Sequence, residues 1–97
     1  ARRDWGYAPD YVDAMVRALR HDRPDDYVIA TGESRSVREL LERAAAHAGV
    51  DLRGRVRTDP ALLRPNEVAH LHGDAGKARR VLGWAPSVGF DELVRRM

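Results

Sequence analysis

The run from Ser36 to Gly49, SVRELLERAAAHAG, constrains this fold more than any other stretch. Ser36 and Glu39 match the S-x-x-E capping box, in which each side chain takes up a backbone N–H that a first helical turn leaves free. Behind the box, Val37, Leu40, Leu41, Ala44, Ala45 and Ala48 recur on one face, and Gly49 supplies the left-handed stop. A helix with a single apolar stripe needs a second layer to cover it.

Further elements alternate around this helix. Tyr11, Val12, Met15, Val16 and Leu19 predict an amphipathic helix from Ala8 to about His21, with Pro9 in the first turn, where a missing N–H is tolerated. The polar turn HDRPDD leads to YVIAT, residues 27–31, a continuous apolar run that reads as a buried strand ending at Gly32. RVRT, residues 55–58, predicts a short strand, Asp59 and Pro60 open an irregular segment, and EVAHLHG, residues 67–73, gives another extended piece. Asp74 is the expected cap of a helix carrying Ala78, Val81 and Leu82 and closed by Gly83, while Phe90, Leu93, Val94 and Met97 predict the last helix. Helices alternating with short strands indicate α/β construction in one piece, residues 1–97, with neither repeat nor linker.

A chain of 97 residues is long enough to bury about two thirds of its unfolded surface in one modest core. Seventeen Lys and Arg face 15 Asp and Glu, so anion binding is expected to be local and a nucleic-acid surface is not. With no cysteine, disulfides, thiolate zinc sites and cysteine nucleophiles are excluded, and a reducing, cytoplasmic setting fits. No apolar run approaches the ~20 residues that span a bilayer, so no membrane partner is expected. The beginning ARRDWGY has no initiator Met, and FDELVRRM ends inside a helical pattern, which reads as a piece of a longer protein.

The search for chemistry finds no nucleophile, base and orienting acid in one motif, so no catalytic residue is assigned. His21, His47, His70 and His72 are scattered; His70 and His72 would share a strand face, yet no second ligand pair accompanies them, and no metal site is assigned. TGE is too short for a phosphate loop, and no G-x-G-x-x-G is present for a dinucleotide. Trp5 and Trp84 read as packing residues, and Lys77, Arg79 and Arg80 as a solvated helix face.

LLRPNEV, residues 62–68, is different: it sets Arg64 and Glu67 three positions apart around a proline that stops helix and sheet. A guanidinium offers a planar fork to a diphosphate, and a carboxylate accepts from ribose hydroxyls, so the pair suits a nucleotide clamp. On spacing alone, a surface ion pair is the favoured reading. Arg3 raises the same choice, lying at the end of an expected strand just before a helix, where a ligand at a sheet edge would meet it.

Four blocks carry a resemblance. RDWGYAPDYVDAM, DDYVIATGESRSVREL, LRPNEV and GDAGKARRVLGWAPSVGFDELV occur in the order and at about the separations of the carboxyl-terminal part of the GDP-mannose 4,6-dehydratases, a family of extended short-chain dehydrogenases/reductases. The resemblance covers nearly the whole chain. It implies the substrate-binding part of a Rossmann-like NAD(P) enzyme that turns GDP-mannose into GDP-4-keto-6-deoxymannose. An NADP cofactor would take hydride from C4 and return it to C6 after water leaves across C5 and C6. Motif for motif, it gives Arg3 and Arg64 to the nucleotide diphosphate and Glu67 to the ribose.

The family's catalytic Thr, Glu and Tyr-x-x-x-Lys, and its glycine-rich NADP loop, belong to a preceding portion. These residues alone are therefore expected to be inactive and marginally stable, and the parent enzyme to be a homo-oligomer. The chain departs from the family at Leu62 and Leu63, where an aromatic pair is usual, at Ala69, where an acid is usual, and at Arg35, where His is usual. The rival readings are another extended short-chain epimerase or dehydratase acting on a UDP- or dTDP-sugar, and a small basic interaction module.

Overall fold

The computed structural model describes residues 1–97. β1 is Arg2–Arg3 and is followed by α1, Ala8–Arg20. β2, Arg35–Ser36, leads straight into α2, Val37–Ala48, and a single 3₁₀ turn covers Pro60–Leu62. α3, Gly76–Leu82, and α4, Phe90–Arg96, complete the chain. β1 lies between two neighbours: β2 pairs with it antiparallel, Arg2 opposite Ser36 and Arg3 opposite Arg35, and His70 bridges Arg2 in parallel from the other side. The parallel contact consists of Arg2 N–H donating to the Ala69 carbonyl at 2.7 Å and Leu71 N–H donating to the Arg2 carbonyl at 2.9 Å.

The capping box forms as its residues dictate. Ser36 Oγ accepts from the Glu39 N–H at 3.0 Å, Glu39 Oε1 accepts from the Ser36 N–H at 3.3 Å, and Gly49 closes α2 at φ 70°. α3 also ends where expected, on Gly83 at φ 66°. Its start differs: Ala75 is the N-cap, and Asp74 instead accepts from the Gly76 N–H at 2.9 Å, one turn position off a cap bond.

The core is small. Ala14, Ala75, Ala78 and Trp84 form its centre, with Tyr11, Tyr27, Ile29 and Leu82 packed against it, and Trp84 is fully buried with its indole N–H on the Asp10 carbonyl at 2.8 Å. The chain measures 54 × 33 × 16 Å, and its radius of gyration of 16.5 Å exceeds the ~13 Å of a compact domain this long. It is a thin plate, so the core expected from length alone is not reached.

Three sequence expectations are corrected on this plate. The apolar stripe of α1 meets the core only at Tyr11: Val12, Met15 and Leu19 are 55, 63 and 86% exposed, while Asp10 and Ala14 turn inward. The segment Tyr27–Thr31 is extended but is no strand, because no backbone N–H or carbonyl of Tyr27–Ala30 pairs with another strand of these residues. RVRT is irregular for the same reason; it lies on the exposed side, with nothing alongside to complete a ladder. Tyr27–Ala30 instead packs by side chains, close enough to Gly73 that a Cβ there would overlap that of Ala30.

Candidate nucleotide-binding site

The site is built from β1 and the turn that follows the 3₁₀ segment. Asp59 starts that segment by accepting from the Ala61 N–H at 2.9 Å, and the chain then runs extended through Leu63. Pro65 and Asn66 form the corners of a turn, the position where proline's fixed φ is favoured. The turn folds Arg64 and Glu67 toward one another, with Arg64 Nε 3.9 Å from Glu67 Oε2.

β1 brings in the third residue. The Arg3 guanidinium donates to Glu67 Oε1 in a very short contact, and also to the carbonyls of Val68 at 2.6 Å and Arg2 at 2.9 Å. Arg3, 64 positions before Glu67, thus joins it and the neighbouring Arg64 in one cluster in which the carboxylate stands between two cations. Their exposures differ: the Arg3 side chain is 24% exposed, Glu67 38% and Arg64 79%. The cluster carries a net positive charge and opens to solvent on the Arg64 side.

Asp4, on the opposite face of the same strand end, was not singled out by its sequence context. Its carboxylate accepts from the Thr31 N–H at 2.9 Å, the Thr31 hydroxyl at 2.6 Å, the Gly32 N–H at 3.0 Å and the Gly73 N–H at 3.4 Å. Burial tends to raise this carboxyl's pKa, but the hydrogen bonds from Thr31, Gly32 and Gly73 outweigh it and hold it below 3.8. The only sequence signal was an acid next to Arg3. Asp4 thereby fixes β1 against both the Thr31–Gly32 turn and the end of the His70–Gly73 segment.

A concavity of about 380 Å³ lies on this Asp4 side and not at Arg64; Thr31, Gly32, His72, Gly73, Asp74 and Arg79 line it. The His70 and His72 rings stack with centroids 6.2 Å apart, His72 Nε2 sits 2.7 Å from the Gly32 carbonyl, and no three metal-binding side chains gather anywhere. Arg35 is tied to Glu33 at 3.1 Å and Glu39 at 3.3 Å beside the Phe90 ring, whereas Leu62 and Leu63 stand in solvent.

A profile of the family described as GDP-mannose 4,6 dehydratase matches residues 1–97, the whole chain. The chain belongs to the GDP-mannose 4,6-dehydratase family. Among curated relatives, GDP-mannose 4,6 dehydratase 1 of Arabidopsis thaliana is 48% identical over 97 residues, and the Homo sapiens GDP-mannose 4,6 dehydratase 44% identical over 114. Both alignments take in all of this chain but only 27% and 31% of the relative, so the chain spans about three tenths of the length of the relatives it matches.

Two solved structures share the arrangement. RMD from Pseudomonas aeruginosa, complexed with NADPH, superposes on 98% of the chain with a TM-score of 0.84 at 26% identity. The Bordetella bronchiseptica enzyme WbmF, in complex with NADH, does so on 99% with a TM-score of 0.74, also at 26% identity. The chain therefore has the α/β architecture of the extended short-chain dehydrogenase fold and covers 31% and 28% of these two structures.

Proposed function

We propose that residues 1–97 are the nucleotide-sugar-binding portion of an enzyme that converts GDP-mannose to GDP-4-keto-6-deoxymannose, a hydro-lyase whose parent chain works as a homo-oligomer in the cytoplasm. The observation that carries the reading is the meeting of Arg3, Glu67 and Arg64 at one place in a member of this family. Arg64 offers an open guanidinium fork to the diphosphate, Glu67 a carboxylate to the ribose hydroxyls, and Arg3 the second cation of the cluster.

The residues present do not fit the NADP that such an enzyme uses. The one glycine turn that follows an extended apolar segment, Thr31–Gly32, has its backbone N–H groups already taken by the Asp4 carboxylate, which would repel a pyrophosphate. Cofactor binding and the hydride chemistry it supplies are assigned to the remainder of the parent enzyme. The segment alone is inactive in this reading.

In the full-length protein, Arg64→Ala is expected to weaken GDP binding by about 2–5 kcal/mol, as loss of a desolvated charged contact does. The rival, an ion pair that stays in water, is worth about 0–1 kcal/mol and predicts a change of a few tenths. Titration calorimetry with GDP, UDP and dTDP decides both this and the base: equal affinity for all three would favour a different nucleotide-sugar enzyme. A steep fall of affinity with added salt for nucleic acid would favour the interaction module.

A further inference from the structure

His70 and His72 stand on one face of the segment that pairs with β1, as residues two apart in a strand do. Both are exposed, and their rings lie 10° from parallel with centroids 6.2 Å apart. A metal ~2.1 Å from an imidazole nitrogen is ~3.2 Å from the centre of that ring, so two rings sharing one metal have centres ~5–6.4 Å apart. The observed separation falls in that range before either ring has turned.

The ring of His72 is already set for a metal. Its Nε2 is 2.7 Å from the Gly32 carbonyl, and a carbonyl only accepts, so Nε2 carries the proton. In the neutral ring the lone pair is then on Nδ1. A backbone carbonyl that takes the other N–H is what fixes tautomer and orientation in histidine metal ligands. His70 is exposed, so its ring is free to turn toward the ion.

The backbone beneath the pair is held on both sides. Arg2 brackets His70, its N–H donating to the Ala69 carbonyl at 2.7 Å and its carbonyl accepting from the Leu71 N–H at 2.9 Å. Ser34 Oγ donates to the Leu71 carbonyl at 3.3 Å, and Asp4 takes the Gly73 N–H at 3.4 Å. The Arg2 guanidinium is occupied by the Ser34 carbonyl at 2.6 Å and Glu39 at 3.5 Å. Two ligands on such a frame give up little freedom when they close on one ion.

We propose that His70 and His72 form a two-imidazole site for a borderline divalent transition-metal ion, Cu(II), Ni(II) or Zn(II), with water in the remaining positions. Imidazole suits these ions, whereas Mg(II) and Ca(II) take oxygen ligands. No third His, Cys, Asp or Glu joins the pair, so the ion is held less firmly than in a four-ligand structural site and exchanges. The inference is independent of the nucleotide reading, since the pair shares no residue with Arg3, Arg64 and Glu67.

The test takes the full-length protein, free of any affinity tag and stripped of metal, and titrates it with the chlorides of copper(II), zinc(II) and magnesium by calorimetry. Copper(II) should bind more tightly than zinc(II), and magnesium should not compete for the site. His70→Gln and His72→Gln should each weaken copper(II) by about tenfold or more, because either change removes the chelate. The double variant should then bind no more weakly than either single one.

The wild-type protein gives a reading that needs no variant. Copper(II) below one equivalent should broaden the imidazole resonances of His70 and His72 together, and its electron paramagnetic resonance should show two nitrogen ligands. Affinity unchanged in both variants places the ion elsewhere and overturns the proposal. So does a loss confined to one variant, or broadening of one ring alone, since either describes a single imidazole. Magnesium that displaces copper(II) would show attraction without imidazole ligation and overturn it as well.

Discussion

The carboxylate of Asp10, in the first turn of α1, accepts the Ser87 hydroxyl at 2.6 Å and so joins residues 77 positions apart. Its other oxygen takes the backbone N–H groups of Ser87 and Val88 at 3.0 and 3.3 Å, while the Asp10 carbonyl holds the Trp84 indole. One residue thus anchors the loop between α3 and α4 onto α1. Asp10→Ala should strip three donors of their partner and cost about 2–4 kcal/mol of stability in the full-length protein, measured by urea unfolding. A cost below about 0.5 kcal/mol would mean that water replaces the carboxylate without penalty.

Asp4 makes stability depend on acid. In the unfolded chain its carboxyl protonates near 3.8, and in the folded chain only at lower pH, because Thr31, Gly32 and Gly73 donate to the charged form. The unfolded state therefore binds more protons as pH falls. The contribution is complete above about pH 4 and is lost as pH drops through the folded value. Asp4→Asn should lower stability by about 1–3 kcal/mol at pH 7, and the difference from wild type should shrink in urea titrations at pH 3. A gap of equal size at both values would show that the charge is irrelevant.

Ser36 caps α2 through its hydroxyl, and Glu39 returns the bond. Ser36→Ala should cost about 1 kcal/mol, and Ser36→Asp should recover most of it, since an aspartate accepts the same N–H and suits the helix dipole. Paired thermal melts of the three proteins check this; recovery by Asp is the part a loss of mere packing would not produce.

The isolated 97 residues should melt broadly and at low temperature. Val12, Met15, Val16 and Leu19 lie bare along α1, and Tyr27–Ala30 has unpaired backbone, so much of the apolar surface found no partner. Leu19→Glu should then change the melting of the isolated piece little, yet destabilise the full-length protein by about 2 kcal/mol if that face is covered there. A sharp transition of the isolated piece at high temperature would contradict the expectation.

Local rules carried part of this structure and failed at identifiable places. The Ser36–Gly49 helix and the stops at Gly49 and Gly83 depend on hydrogen bonds within a few residues, so their patterns could be read directly. YVIAT looked like a strand because its side chains suit one; strandhood also needs a neighbour's backbone, and composition says nothing of that. The stripe of α1 was correctly seen as apolar, but periodicity cannot say which partner covers it.

The candidate site divides in the same way. Sequence alone determined the turn at Pro65 that sets Arg64 beside Glu67, and the motifs that place the chain in its family, because neighbouring residues and proline's fixed φ suffice for the one and residue order for the other. Only the tertiary structure decided that Arg3 reaches Glu67 and Val68, and that Asp4 and Asp10 tie distant loops to β1 and α1. The contacts of Arg3 and Asp4 depend on how β1 lies between β2 and the His70 segment, and that of Asp10 on how α1 meets the loop between α3 and α4; the geometry of such distant chains is written in no local pattern.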